Sequence, residues 1–113
     1  MHNIYSNSIS PSHPFAHDIN RAIEQLHDLV HPQSIYLFGS CAGDCVKPSS
    51  DIDLCLIVDY QDKRELLTYI HMNIDLEKNL DILLCTPEQW EKYKSDRGNI
   101  LGIINATGVK VYG

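Results

Sequence analysis

The sequence predicts a small α/β (α+β) domain with three or four strands and helices between them. Three observations carry this. Apolar residues recur at three- and four-residue steps over 15–30, they alternate in steps of two over 51–59, and short β-prone runs are bounded by turn residues. At 113 residues the chain can bury one modest core and has no room for a second domain.

The elements follow in order. Residues 1–14 are polar and punctuated by Pro11 and Pro14, which reads as an N-terminal arm ahead of a domain over 15–113. Phe15, Ile19, Ile23, Leu26 and Val30 form one helical stripe, and His31-Pro32 ends it because proline disfavours helix in the residue before it. Residues 34–39 (SIYLFG) read as a strand closing on a glycine, and 40–50 as a loop with one helical turn at its start. In 51–59, Asp51, Asp53, Cys55 and Ile57 share one face, while Ile52, Leu54, Leu56 and Val58 make the other wholly apolar. Leu66, Leu67, Ile70 and Ile74 mark a helix over 62–75, and 79–85 (NLDILLC) reads as a strand. Thr86 is an N-cap with Pro87 at the first helical position. That helix carries Trp90 and Tyr93, whose spacing fits the core. A further helical piece over 99–106 follows Gly98, and VKVYG closes as an edge strand.

Composition narrows the function. Nine basic against fifteen acidic residues leave a formal charge of −6, which repels phosphate backbones and disfavours broad nucleic-acid binding. A small nucleotide carried with a divalent cation remains compatible. No apolar run approaches the roughly 18–20 residues that span a bilayer, and the first residues lack a signal-peptide pattern, so the expectation is a cytoplasmic protein without membrane contact. Cys55 and Cys85 sit in apolar runs, where cysteine acts as a small hydrophobe. Cys41 and Cys45 have no second pair at zinc-ligand spacing. His27 and His31 have no carboxylate motif beside them, and Lys92 and Lys94 read as a solvated helix face.

The chemistry concentrates elsewhere. Asp51 and Asp53 are two apart on a strand, so they project from one face about 6.5–7 Å apart at the backbone. Like charges so close repel, and divalent cations between them relieve the repulsion. Asp81 stands among Leu80, Ile82, Leu83 and Leu84, where an unpaired buried carboxylate is costly. With its strand next to that of Asp53, it completes a three-carboxylate cup. Gly39-Ser40, at a strand end, lets backbone N–H groups approach a phosphate.

Gly39-Ser40, ten residues, then Asp51-x-Asp53 resembles the GS-x10-DxD signature of minimal nucleotidyltransferases of the DNA-polymerase-β-like superfamily. Phe38 before the glycine, Ser50 and Leu54 around the aspartates, and Asp81 on the following strand extend the match. The tail GNILGIINATGVKVYG resembles stand-alone members encoded beside a HEPN-domain protein. The resemblance covers roughly residues 15–113.

It implies a small mixed β-sheet with helices packed on one side. It also implies Gly39 and Ser40 as nucleotide-binding residues and Asp51, Asp53 and Asp81 as catalytic ligands of Mg²⁺, two ions in all, with ATP as substrate. Asp81 is in addition the candidate general base. Many members read GSxARG, whereas this chain has Cys41-Ala42-Gly43-Asp44 after Gly39-Ser40, so the basic residue is missing and Lys47 is the candidate substitute. Little of the chain is left to build an acceptor pocket. The resemblance therefore implies AMP transfer to a tyrosine of a HEPN toxin, the chain acting as antitoxin of a type VII-like pair. The alternatives are a binding-only antitoxin and a transferase acting on a small-molecule hydroxyl such as an aminoglycoside.

Overall fold

A computed structural model describes residues 9–43 and 46–113. The first part of the arm lies outside the described residues, as do Asp44 and Cys45 and the readings attached to them.

Helix α1 spans Ala16–Val30 and buries Ile19, Ala22, Ile23 and Leu26, the stripe expected from the sequence. It ends where Pro32 forbids continuation. His31 takes the left-handed conformation (φ 48°), and its N–H closes on the His27 carbonyl. Strand β1 (Ser34–Phe38) runs into a single 3₁₀ turn over Gly39–Ala42. Strand β2 (Ile52–Ile57) then leads through helix α2 (Lys63–Asn73) to strand β3 (Leu80–Cys85). Helix α3 (Pro87–Tyr93) opens on a capping box. Thr86 accepts the Gln89 N–H, and the Gln89 side chain returns to the Thr86 N–H. Helix α4 (Ile100–Thr107) precedes strand β4 (Val109–Tyr112).

The four strands form one mixed sheet in the order β3-β2-β1-β4. β1 is antiparallel to both β2 and β4, and β2 is parallel to β3. The parallel pair is possible because α2 carries the chain back across the sheet. The small α/β mixed sheet expected from the sequence is the fold observed.

The helices differ from the expectation in one respect, for they lie on both faces of the sheet. Ile52, Leu54 and Leu56 pack with α1 and with Ile70 of α2. Cys55, Ile57 and Cys85 pack instead with Trp90 of α3 and with Leu101 and Ile104 of α4. The physical cause is β2 itself, apolar at every position from Leu54 to Ile57 and buried throughout. A strand of that kind needs cover on both sides. With seven and eight residues, α3 and α4 cover only part of their face. Asp81, near the start of β3 on that same face, remains exposed.

Candidate active site

The site forms where β1 ends and β2 and β3 begin. The register sets Phe38 opposite Asp53 across the antiparallel pair and Asp53 opposite Asp81 across the parallel one. Residues paired in register on neighbouring strands point the same way, so the two carboxylates meet on the α3/α4 face. They share a side-chain hydrogen bond. Burial, the charge of Asp81, that hydrogen bond and the charge of Asp51 together push the Asp53 carboxyl up from 3.8 to about 6. Asp53 is half-buried and Asp81 open to solvent.

Gly39 brings the turn against this pair. Its φ is +73°, in the left-handed region, and a Cβ placed on it would lie 2.2 Å from Asp53 Oδ2. The backbone conformation therefore favours glycine here, and any side chain would push the Asp53 carboxylate aside. Ser40 follows at the exposed start of the turn, and Cys41 is buried beneath it. The Cys41 thiol donates to the Asp51 carbonyl at 3.3 Å, tying the turn to the residue that enters β2. Burial, then the charge of Asp53, push that thiol up. Beside the turn, Phe38, Gly39, Ala42, Ile100, Ile103 and Thr107 wall a cavity of about 400 Å³.

The structure brings Gly39, Ser40, Asp53 and Asp81 to one place, with Asp51 acting on Asp53 through its charge. Among the described residues, no group of three or more His, Cys, Asp or Glu side chains converges enough to hold a metal. The chemistry of the donors nonetheless fits a hard divalent cation. Asp53 and Asp81 stand in register, and the charges of Asp81 and Asp51 push the Asp53 carboxyl up, a repulsion that a cation between them would relieve.

The remaining candidates resolve structurally. Trp90 is buried against Tyr36, ring centroids 4.7 Å apart. His27 Nδ1 is hydrogen-bonded to the Tyr112 hydroxyl at 2.7 Å. Lys94 pairs with Glu91 on the α3 surface. Cys55 and Cys85 are free buried thiols, and their mutual hydrogen bond together with burial pushes that of Cys55 up.

Two residues near the site, Lys78 and His13, carried no signal in the sequence, whereas Lys47 was the candidate substitute. Lys47 is exposed, and its N–H closes a local turn on Ser50 Oγ. Lys78 is the cation packed beside the turn. Its Nζ donates to the Pro48 carbonyl at 2.6 Å, lies 3.9 Å from the Phe15 ring centroid, and acts on the Cys41 thiol. His13, from the arm, reaches the Cys41 carbonyl. Neither spacing nor periodicity marks either residue.

The family model described as a nucleotidyltransferase domain matches residues 19–101, which include all five residues singled out above. No curated protein matches the chain.

Proposed function

Because the chain belongs to the nucleotidyltransferase-domain family, we propose that it moves AMP from ATP onto a tyrosine hydroxyl of a HEPN-domain toxin and thereby acts as an antitoxin. Nucleotidyl transfer is the family's activity. The protein acceptor, the toxin partner, ATP as the nucleotide and a cytoplasmic setting are the reading offered here. The observation that carries it is the in-register pair Asp53–Asp81 set against Gly39.

In this reading the Ser40 end of the turn receives the triphosphate on backbone N–H groups, and Gly39 lets it approach the carboxylates without an intervening side chain. Asp51, Asp53 and Asp81 would hold Mg²⁺, which when bound neutralises charge on the phosphate oxygens. Asp81, exposed beside Asp53, takes the proton of the incoming hydroxyl. The hydroxyl oxygen bonds to the α-phosphorus, the bond to the β-phosphate bridge breaks, and pyrophosphate leaves. Lys78 supplies the cationic character that the Cys41-Ala42-Gly43-Asp44 run lacks. Ile100 and Ile103, exposed on the wall beside Gly39, give an apolar approach for an acceptor presented by another protein.

The test is intact mass spectrometry of the chain mixed with ATP, Mg²⁺ and a HEPN-domain protein. The expected result is an AMP-sized mass increase on a tyrosine of the partner, with negligible self-modification. A partner that is silenced yet unmodified would favour the binding-only alternative.

A further inference from the structure

The Gly39–Ala42 segment is a single 3₁₀ turn, closed at its C-terminal end by the Gly43 N–H on the Ser40 carbonyl at 3.2 Å. A second element holds it from outside. His13 is pinned on both sides by backbone, its N–H donating to the Ser10 carbonyl at 2.9 Å and its carbonyl accepting the Ala16 N–H at 3.0 Å. Its ring is pinned too. Nδ1 accepts the Phe15 N–H at 2.9 Å, and Nε2 lies 2.8 Å from the Cys41 carbonyl oxygen.

These two contacts assign the tautomer. A nitrogen that accepts carries no proton, so the neutral imidazole has its proton on Nε2 and donates it to Cys41. The peptide joining Cys41 and Ala42 is planar and trans, so fixing the Cys41 carbonyl also fixes the direction of the Ala42 N–H. Cys41 relays the constraint onward, because its thiol donates to the Asp51 carbonyl. A single chain of hydrogen bonds thus runs from the start of α1, through His13 and the turn, to the entry of β2.

We infer that His13 is a positioning residue, a clamp that sets the orientation of the Gly39–Ala42 turn for phosphate binding. His13 lies outside the span that matches the family model. It touches neither Asp53 nor Asp81 in any contact described above and acts only through Cys41. The phosphate half of this inference rests on the reading of Gly39-Ser40 given above. The clamp itself belongs to the nucleotide-free fold.

The experiment separates the two. Amide hydrogen exchange is measured on the free wild-type chain, His13→Ala and His13→Gln. The glutamine amide keeps one donor for Cys41 and one acceptor for Phe15. Exchange over residues 39–43 should quicken about tenfold in His13→Ala, the scale of one lost hydrogen bond. That over β1 should stay unchanged, and His13→Gln should return towards wild type. Equal exchange over 39–43 in wild type and His13→Ala overturns the clamp. In a MgATP titration and steady-state assay, His13→Ala should raise the dissociation constant and KM about tenfold with kcat little changed, and His13→Gln should rescue both. A melting temperature lowered in His13→Ala with unchanged KM reduces His13 to a structural anchor and overturns the positioning role. Wild type that binds no MgATP overturns the phosphate reading of the turn, and the exchange measurement still decides the clamp.

Discussion

Asp53 and Asp81 stand in register on two adjacent parallel strands and share a hydrogen bond, with the turn at Gly39 closing on Asp53 from the other side. Burial and the neighbouring charges of Asp81 and Asp51 make the ionised form of Asp53 costly in this arrangement.

The first consequence is a pH dependence of the metal-free protein. The Asp53 carboxyl is pushed up from 3.8 to about 6 in the fold, so the native state holds its proton more tightly than the unfolded chain. That contribution to stability is fully present below about 3.8 and is lost as pH rises through about 6. Urea midpoints in the presence of chelator should show a downward component across this window in wild type, and Asp53→Asn should lack it. Identical profiles would show that folding does not push the Asp53 carboxyl up.

Divalent cation should act in the opposite sense above that window. Mg²⁺ or Mn²⁺ that binds only the native state stabilises it by mass action, about 2.7 kcal/mol at a hundredfold excess over its dissociation constant. Thermal melts should rise with added metal in wild type and not in Asp53→Asn. A melting curve indifferent to either metal counts against the carboxylates as ligands.

Gly39→Ala should lose activity and destabilise the fold by about 1–3 kcal/mol, the scale of a residue forced into a disfavoured backbone region. Part of this loss is the clash with Asp53 and part is the φ of +73°. Combining Gly39→Ala with Asp53→Ala should therefore be less harmful to stability than the sum of the single changes. Strict additivity in denaturation would show that the two residues do not press on each other.

For catalysis, Asp51→Asn and Asp53→Asn should remove AMP transfer to the limit of detection. Asp81→Asn should leave a trace, since water can take the proton. Ser40→Ala should be milder, because the backbone donors of the turn survive it. Loss of one charged group that stabilises the reacting phosphate is worth about 10²–10³ in rate. Transfer to the partner, followed by intact mass, gives the ranking, and equal rates across the four variants would sink the assignment of roles.

Much of this architecture was readable beforehand, for local reasons. The His31-Pro32 stop, the Thr86-Pro87 start and the apolar face of β2 are each set within a few residues, and each lies where expected. The Gly39-Ser40 to Asp51-x-Asp53 spacing was visible for the same reason. Other features depend on which strands become neighbours. The face bearing Asp51 and Asp53 reads as polar at its start, which hides that Cys55 and Ile57 need helices α3 and α4 over them. The pairing of Asp53 with Asp81 is a register fact across 28 positions of chain. His13 and Lys78 reach the turn from segments with no pattern of their own, so only the folded backbone reveals them.

The outer position of β3 places Asp81 on an edge of the sheet as well as beside Asp53. β3 is an edge strand, and Leu80, Ile82, Leu83, Leu84 and Cys85 leave Asp81 as its one charged residue. Exposed apolar edges recruit further strands, and natural sheets guard them with charge. Removing the charge of Asp81 from this edge strand should therefore also raise self-association, which light scattering of Asp81→Asn at rising concentration checks. If Asp81→Asn self-associates and also loses transfer, one carboxylate serves both edge protection and the site, and the two effects are separated by measuring transfer at concentrations where the variant stays monomeric.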